Sequence, residues 1–172
     1  MRWRIAPVIL TSFLAVSCGY HTTAHNVSIP ENVRTIAIPT FANETQTYKI
    51  EQMLTAAVVR EMLTRTHCHV VNKTDSDADA TLKGTVLATY TTPLTYDPTT
   101  GRAVSVLVVV NARIALIDKH GQVLYQNPSY LFREQYEVSR DLASFFEEDS
   151  PAFERLSRDF ARTVVANVLE GF

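Results

Sequence analysis

The chain has 172 residues, 46% of them hydrophobic and 20% charged, with 18 acidic and 16 basic side chains. That is one ordinary domain with enough apolar material for a core, and it excludes wholesale disorder. The formal charge of −2 falls to −4 when Arg2 and Arg4 leave with the first 17 residues, so the body lacks the basic surface a general nucleic-acid binder uses to displace counterions, a local patch aside.

Met1-Arg2-Trp3-Arg4 is a positive start, and Ile5 to Val16 is apolar apart from Thr11 and Ser12. A run of about 12 residues has the length of a signal-peptide core and falls short of the ~20 that span a bilayer. Leu14-Ala15-Val16-Ser17-Cys18-Gly19 follows and resembles the bacterial lipobox, in which a cysteine thiol takes a diacylglycerol and a small residue precedes it. Ala15 stands where that motif usually has leucine, and Ala15-x-Ser17 also fits an ordinary signal-peptidase site. The chain divides into a signal peptide (1–17), a lipidated Cys18 with a flexible tether (18–32) and one domain (33–172). The lipid on Cys18 is the only non-protein group expected. An acylated Cys18 leaves Cys68 without a partner in the chain; a free Cys18 would allow a disulfide with it. Gly19 takes the position where Asp retains lipoproteins at the inner membrane, and glycine there resembles the outer-membrane default. Sequons at Asn26, Asn43 and Asn72 are read as chance beside a lipobox.

Val33 to Pro39 is a short strand stopped by proline. From Tyr48 the period changes: Ile50, Met53, Leu54, Ala57, Val58, Met62 and Leu63 form the apolar stripe of a helix over 48–66. Cys68 to Val71 is a short strand candidate. Residues 80–90 alternate between small apolar side chains and threonine, and a loop containing Pro93, Pro98 and Gly101 follows. Val104 to Leu116 is a long alternating strand, Asp118-Lys119-His120-Gly121 a hairpin turn, and Val123 opens a last strand that Asn127-Pro128 interrupts before Tyr130 to Val138 resumes it. A short helix is expected over 141–147. A longer one starts with Ser150 as cap and Pro151 in first place, carries the stripe Phe153, Leu156, Phe160, Val164, Val168 and Leu169, and stops at Gly171. The order β-α-β-β-β-α predicts an α/β (α+β) two-layer sandwich, a four-stranded, mainly antiparallel sheet with two helices on one face.

Catalytic patterns are weak. Asp75-Ser76-Asp77-Ala78-Asp79 begins like a calcium loop but has Ala80 in place of the sixth-position glycine and Val86 in place of the twelfth-position glutamate. His67-Cys68-His69 offers three ligand types on alternating faces of a strand, which cannot converge on one metal. No nucleophile elbow, HExxH pair or phosphate loop occurs, so neither an enzyme nor a metal site is expected. Two features suggest binding instead. Leu87, Leu107 and Val109 would look outward from a sheet covered on one side only. Lys83, Arg102, Arg113 and Lys119 are basic residues on strands or turns that can meet an anionic ligand.

Cys18-Gly19-Tyr20-His21, Thr35-Ile36-Ala37-Ile38-Pro39-Thr40-Phe41-x-Asn43, Ile50-Glu51 through Arg60-Glu61, Tyr90, Tyr136 and the closing Leu169-Glu170-Gly171-Phe172 stand in an order that resembles the LptE-like lipopolysaccharide-assembly outer-membrane lipoproteins. The resemblance implies a four-stranded sheet with two helices on one side. It implies a protein held by its lipid on the periplasmic side of the outer membrane. There it would plug an LptD-like β-barrel translocon, help it fold and contact lipopolysaccharide as it passes. No local motif carries the family's basic contacts onto this chain, so Lys83, Arg102 and Lys119 are contact candidates by residue type. The strand-Pro-Thr-Phe-x-Asn opening is also similar to outer-membrane activators of peptidoglycan synthases and to subunits of curli-type secretion channels. The long hairpin of the third strand, with no further helix between strands, favours the translocon family. An enzyme on a lipid tether is the third class.

Overall fold

The computed structural model describes residues 33–73, 77–138 and 149–170. In chain order its elements are β1 (Thr35–Ala37), β2 (Ala42–Asn43), α1 (Ile50–Arg65), β3 (His69–Val71), β4 (Ala80–Tyr96), β5 (Ala103–Asp118), β6 (Val123–Glu137) and α2 (Asp149–Glu170). The signal segment, Cys18 with its tether, Asp75, Ser76, the helix expected over 141–147 and Gly171 lie outside the described residues.

One mixed sheet runs β3-β1-β4-β5-β6, with β2 also paired to β4. The α+β class and the helical layer agree with the expectation, but six strands replace four. The two added ones are short: β3, at the candidate strand over 68–71, joins the sheet parallel to β1 from Thr35↔His69 to Ala37↔Val71, and β2 lies parallel to Thr85–Val86. Strands of two or three residues show no period in a sequence. A parallel pair needs a long crossover, and α1 supplies the one between β1 and β3. β1 has strands on both sides, so Ile36, Ala37 and Ile38 are fully buried in succession rather than alternately.

β4, β5 and β6 form the expected antiparallel meander. Both turns use the same device. Asp97 accepts bonds from Thr99 N (2.8 Å) and Thr100 N (3.1 Å), and Asp118 from His120 N (2.8 Å) and Gln122 N (2.7 Å). The chain reverses through Gly101 (φ +66°) and Gly121 (φ +87°), a backbone region glycine enters without a Cβ clash.

Two prolines sit differently from the expectation. Pro93 lies inside β4 opposite Val106, because beyond Val86 this strand has no second neighbour among the described residues and its missing N–H costs no ladder bond there. Pro128 lies inside β6, the edge strand, where the register shift between Ala112↔Tyr130 and Ile114↔Asn127 leaves Pro128 and Ser129 opposite one β5 residue as a bulge.

The core lies between the sheet and the helices. Val106, Val108, Val110, Ala112, Ile114 and Leu116 of β5 face Ile50, Leu54, Val58 and Met62 of α1 and Leu156, Phe160, Val164 and Val168 of α2, all buried. Leu63 is 55% exposed and leaves the expected stripe, because α1 buries every fourth residue and Leu63 is turned about 100° from Met62. Phe160 is the aromatic centre, with ring centroids 5.2 Å from Phe132, 6.4 Å from Phe41 and 6.5 Å from Tyr130. α2 begins at Asp149, which puts Ser150 and Pro151 in its first turn, where a helix tolerates proline.

Candidate functional site

The Thr40-Phe41-x-Asn43 stretch leads into and includes β2, ahead of α1. Phe41 N donates to buried Thr55 Oγ1 (3.0 Å). Asn43 is a hub: its Nδ2 donates to Thr47 O (3.0 Å) and Glu51 Oε2 (2.8 Å), while its Oδ1 accepts from Thr45 N (2.8 Å) and Thr45 Oγ1 (2.7 Å). Residues 43–49 are thereby shaped and tied to Glu51 in the first turn of α1. This stretch is architectural, and the chemistry of contact must lie elsewhere.

With both helices on one side, the other face of the sheet is uncovered among the described residues. Register places Ala88, Asn111 and Leu131 in one row across β4, β5 and β6, then Tyr90, Val109 and Arg133, then Thr92, Leu107 and Gln135. Leu107 and Val109 are half-buried, whereas Tyr90 is 62% and Leu131 48% exposed. Tyr90, Val109, Leu107 and Leu131 thus make one apolar patch. Leu87, expected on this face, sits in the irregularity between Val86 and Ala88, which resets the alternation so that Ala88, Tyr90 and Thr92 lie on it. Every β4 residue from Tyr90 to Tyr96 is exposed, so the outer part of the strand projects beyond the core without a charged side chain.

The cations are spread over this frame. Lys83 (paired with Ala115) and Arg113 (paired with Thr85) are diagonal neighbours on the helix-free face, and Arg133 stands further along it. Arg113 also lies 3.7 Å from Glu44, both well exposed. Arg102 is in the β4–β5 turn and Lys119 in the β5–β6 turn, at opposite ends of a 16-residue strand and so about 50 Å apart. The structure therefore does not gather Lys83, Arg102 and Lys119 into one pocket. Sequence reasoning passed over Arg133 and Leu131; their signal was the alternation of 131, 133, 135 and 137 against Tyr130, Phe132 and Tyr136.

Lys119 has a structural partner. Its Nζ is 3.6 Å from Asp79 Oδ1, and its N–H donates to Asp79 O (2.9 Å). Asp79 Oδ2 accepts from Arg34 N (2.9 Å) and Thr35 N (3.1 Å), and these backbone bonds, helped by Lys119, hold its carboxyl below the usual carboxylate range. The run read as a failed calcium loop thus supplies a clamp between β1 and the β5–β6 turn. No group of three His, Cys, Asp or Glu side chains among the described residues is placed to hold a metal. Cys68 is half-buried with Sγ 3.7 Å from Val33 O. No helix among the described residues is long and apolar enough to cross a membrane.

The family model of LptE, lipopolysaccharide-assembly, matches residues 33–168. The chain belongs to the LptE family. No curated protein sequence matches it. Solved structures resemble the LptE fold seen here. A protein of Caulobacter crescentus CB15 superposes with a TM-score of 0.53 at 13% identity, covering 76% of this chain and 88% of that one. Lipoprotein B of Nitrosomonas europaea gives 0.51 at 13%, covering 80% and 86%. PelC of Paraburkholderia phytofirmans, a dodecamer, gives 0.50 at 14%, covering 81% and 89%. At these identities the likeness is one of fold. Membership of the LptE family makes this a lipopolysaccharide-assembly protein, in keeping with the order of Phe41, Asn43 and Ile50-Glu51 in the sequence.

Proposed function

We propose that this LptE-family chain plugs a β-barrel lipopolysaccharide translocon, assists its assembly and helps deliver lipopolysaccharide to the outer leaflet. In this reading Cys18 carries the lipid that holds the protein on the periplasmic side of the outer membrane, with no other cofactor and no catalytic step. The observation that carries it is the helix-free face: an apolar patch of Tyr90, Leu107, Val109 and Leu131 flanked by Lys83, Arg113 and Arg133. An exposed apolar patch beside cations suits a protein wall together with an amphipathic anionic lipid. Lys83, on that face, is the first proposed lipid contact; Arg102, at the projecting turn, is the second, and Lys119, tied to Asp79, the third.

The test is to purify the full chain from detergent-solubilised envelopes and identify what accompanies it by mass spectrometry. A stoichiometric outer-membrane β-barrel supports the reading, and depletion should then let hydrophobic antibiotics through the outer membrane. A peptidoglycan synthase overturns it in favour of a synthase activator. Rings of the chain alone overturn it in favour of a secretion-channel subunit, and the fold shared with a dodecamer makes that the rival to watch.

A further inference from the structure

The helical layer carries a second surface. Between α1 and α2 runs a groove of about 370 Å³. The small residues Ala57, Ser157 and Ala161 line it, and the Ser157 hydroxyl is already donated to Glu154 O (3.0 Å). Arg60 of α1 and Arg158 and Arg162 of α2 stand on its exposed rim, with Glu61 and Glu154 as the acids. Glu61 is engaged by Arg65 at 2.6 Å, and the Arg162–Asp159 approach of 3.9 Å joins two side chains that are both more than 60% exposed, too solvated to neutralise the arginine. The groove is therefore net positive on a chain that is acidic as a whole.

All three cations are arginines, whose planar forks match carboxylates in a way lysine does not. Arg158 and Arg162 are one helical turn apart, about 6 Å along the axis. Carboxylates two residues apart on an extended chain are spaced about 6.6 Å, so the two periods agree. A phosphorylated lipid headgroup fits less well: the rim glutamates repel a compact, multiply charged anion, whereas they accept bonds from the N–H groups of a peptide.

We infer that the α1–α2 groove is a second contact with the barrel partner, in which Arg60, Arg158 and Arg162 clamp carboxylates of an extended acidic segment of that partner. The partner's identity rests on the proposed function; the chemistry of the clamp rests on the groove. The experiment is co-purification of the barrel with three forms of the full-length lipoprotein: wild type, Arg158→Glu/Arg162→Glu, and Lys73→Glu as a charge reversal of an exposed residue outside both the groove and the helix-free face. Arg60→Gln/Arg158→Gln is a milder second variant, and circular dichroism melts confirm that each form folds. The clamp predicts that retained barrel falls on the order of tenfold in the double reversal and less in the glutamine pair, with both losses shrinking in high salt. Equal retention by wild type and both groove variants overturns the clamp and leaves the proposed function intact. No barrel with wild type overturns the proposed function itself, and with it this choice of partner. If the variants keep the barrel but no longer sediment with vesicles of phosphatidylglycerol and phosphatidylcholine, the groove serves an anionic lipid surface and the acidic segment is overturned.

Discussion

The ring of Phe41 lies so close over Gly84 that a Cβ at residue 84 would stand 2.5 Å from Cγ of Phe41. β4 can pass beneath that ring only because it has no side chain there, and Phe41 in turn meets Phe160 edge-on at 6.4 Å. Gly84→Ala is therefore an overpacking change that forces the ring, and the β2–α1 junction behind it, to shift. A loss of about 1–3 kcal/mol is expected in urea unfolding. Adding Phe41→Leu should recover part of it, and strictly additive effects in that cycle would show that the two residues are not coupled.

Asp79 sets an acid limit. Its carboxyl is held below its ordinary value by the N–H groups of Arg34 and Thr35, with Lys119 adding to the effect. A lowered folded-state pKa means a contribution that is complete above the unfolded value, near 4, and fades as pH falls through the folded one. The melting temperature of wild type should exceed that of Asp79→Asn at neutral pH, and the gap should close in acid below about pH 4. A gap that stays constant with pH would show that the carboxylate charge is not what the clamp uses.

At the alkaline end, Tyr125 titrates late. Burial and the hydrogen bond it shares with the Tyr130 hydroxyl push it up to about 12, and Asn167 Nδ2 joins the same cluster by donating to Tyr130 (2.9 Å). The folded state keeps a proton that the unfolded chain releases near pH 10, so stability should fall between about pH 10 and 12. Tyr125→Phe should flatten that fall, and ultraviolet difference titration should lose its latest-ionising tyrosine. A wild-type titration complete by about pH 10.5 would remove the cluster as its cause.

The helix-free face should separate folding from function. Tyr90→Ala and Leu131→Asp alter exposed side chains, so each should shift stability by no more than about 0.5 kcal/mol. Under the proposed function both should still weaken retention of the barrel during purification, with Leu131→Asp the stronger because it puts a charge into an apolar contact. Unchanged retention in both would move the contact away from this face.

Much of this architecture was readable from the residues. The core stripe Val106, Val108, Val110, Ala112, Ile114 and Leu116 of β5 alternates as read, Asp118…Gly121 marks its own turn, and the α2 stripe from Leu156 to Val168 is buried as its spacing required. Position within the sheet is what a sequence does not state. Pro93 and Pro128 read as strand breakers because nothing local tells that their backbone lies on an edge or in a bulge. β2 escaped, and so did the parallel pairing of β3, whose strand the apolar run over 68–71 marks, because pairing between short segments is a long-range fact. For the same reason the irregularity at Val86–Ala88 turned Ala88, Tyr90 and Thr92 onto the face that simple alternation denied them. The contact surface suffered most, since assembling Tyr90, Val109, Leu131 and Arg133 into neighbours needs the register of three strands at once.

Among the described residues, β4 is held on both sides only as far as Val86; from there to Tyr96 it pairs with β5 alone. The strand is one element by geometry and two by cohesion. Amides of the outer stretch should exchange with solvent through a local opening that leaves Ile36, Leu82 and Ile114 closed, long before the molecule unfolds as a whole. The same stretch pairs with its neighbour across a short turn, whereas β1 must find β4 across some 45 residues. The part of the sheet that is quickest to form is thus also the quickest to part, which leaves the projecting hairpin free to rearrange against a partner while the body behind it stays rigid.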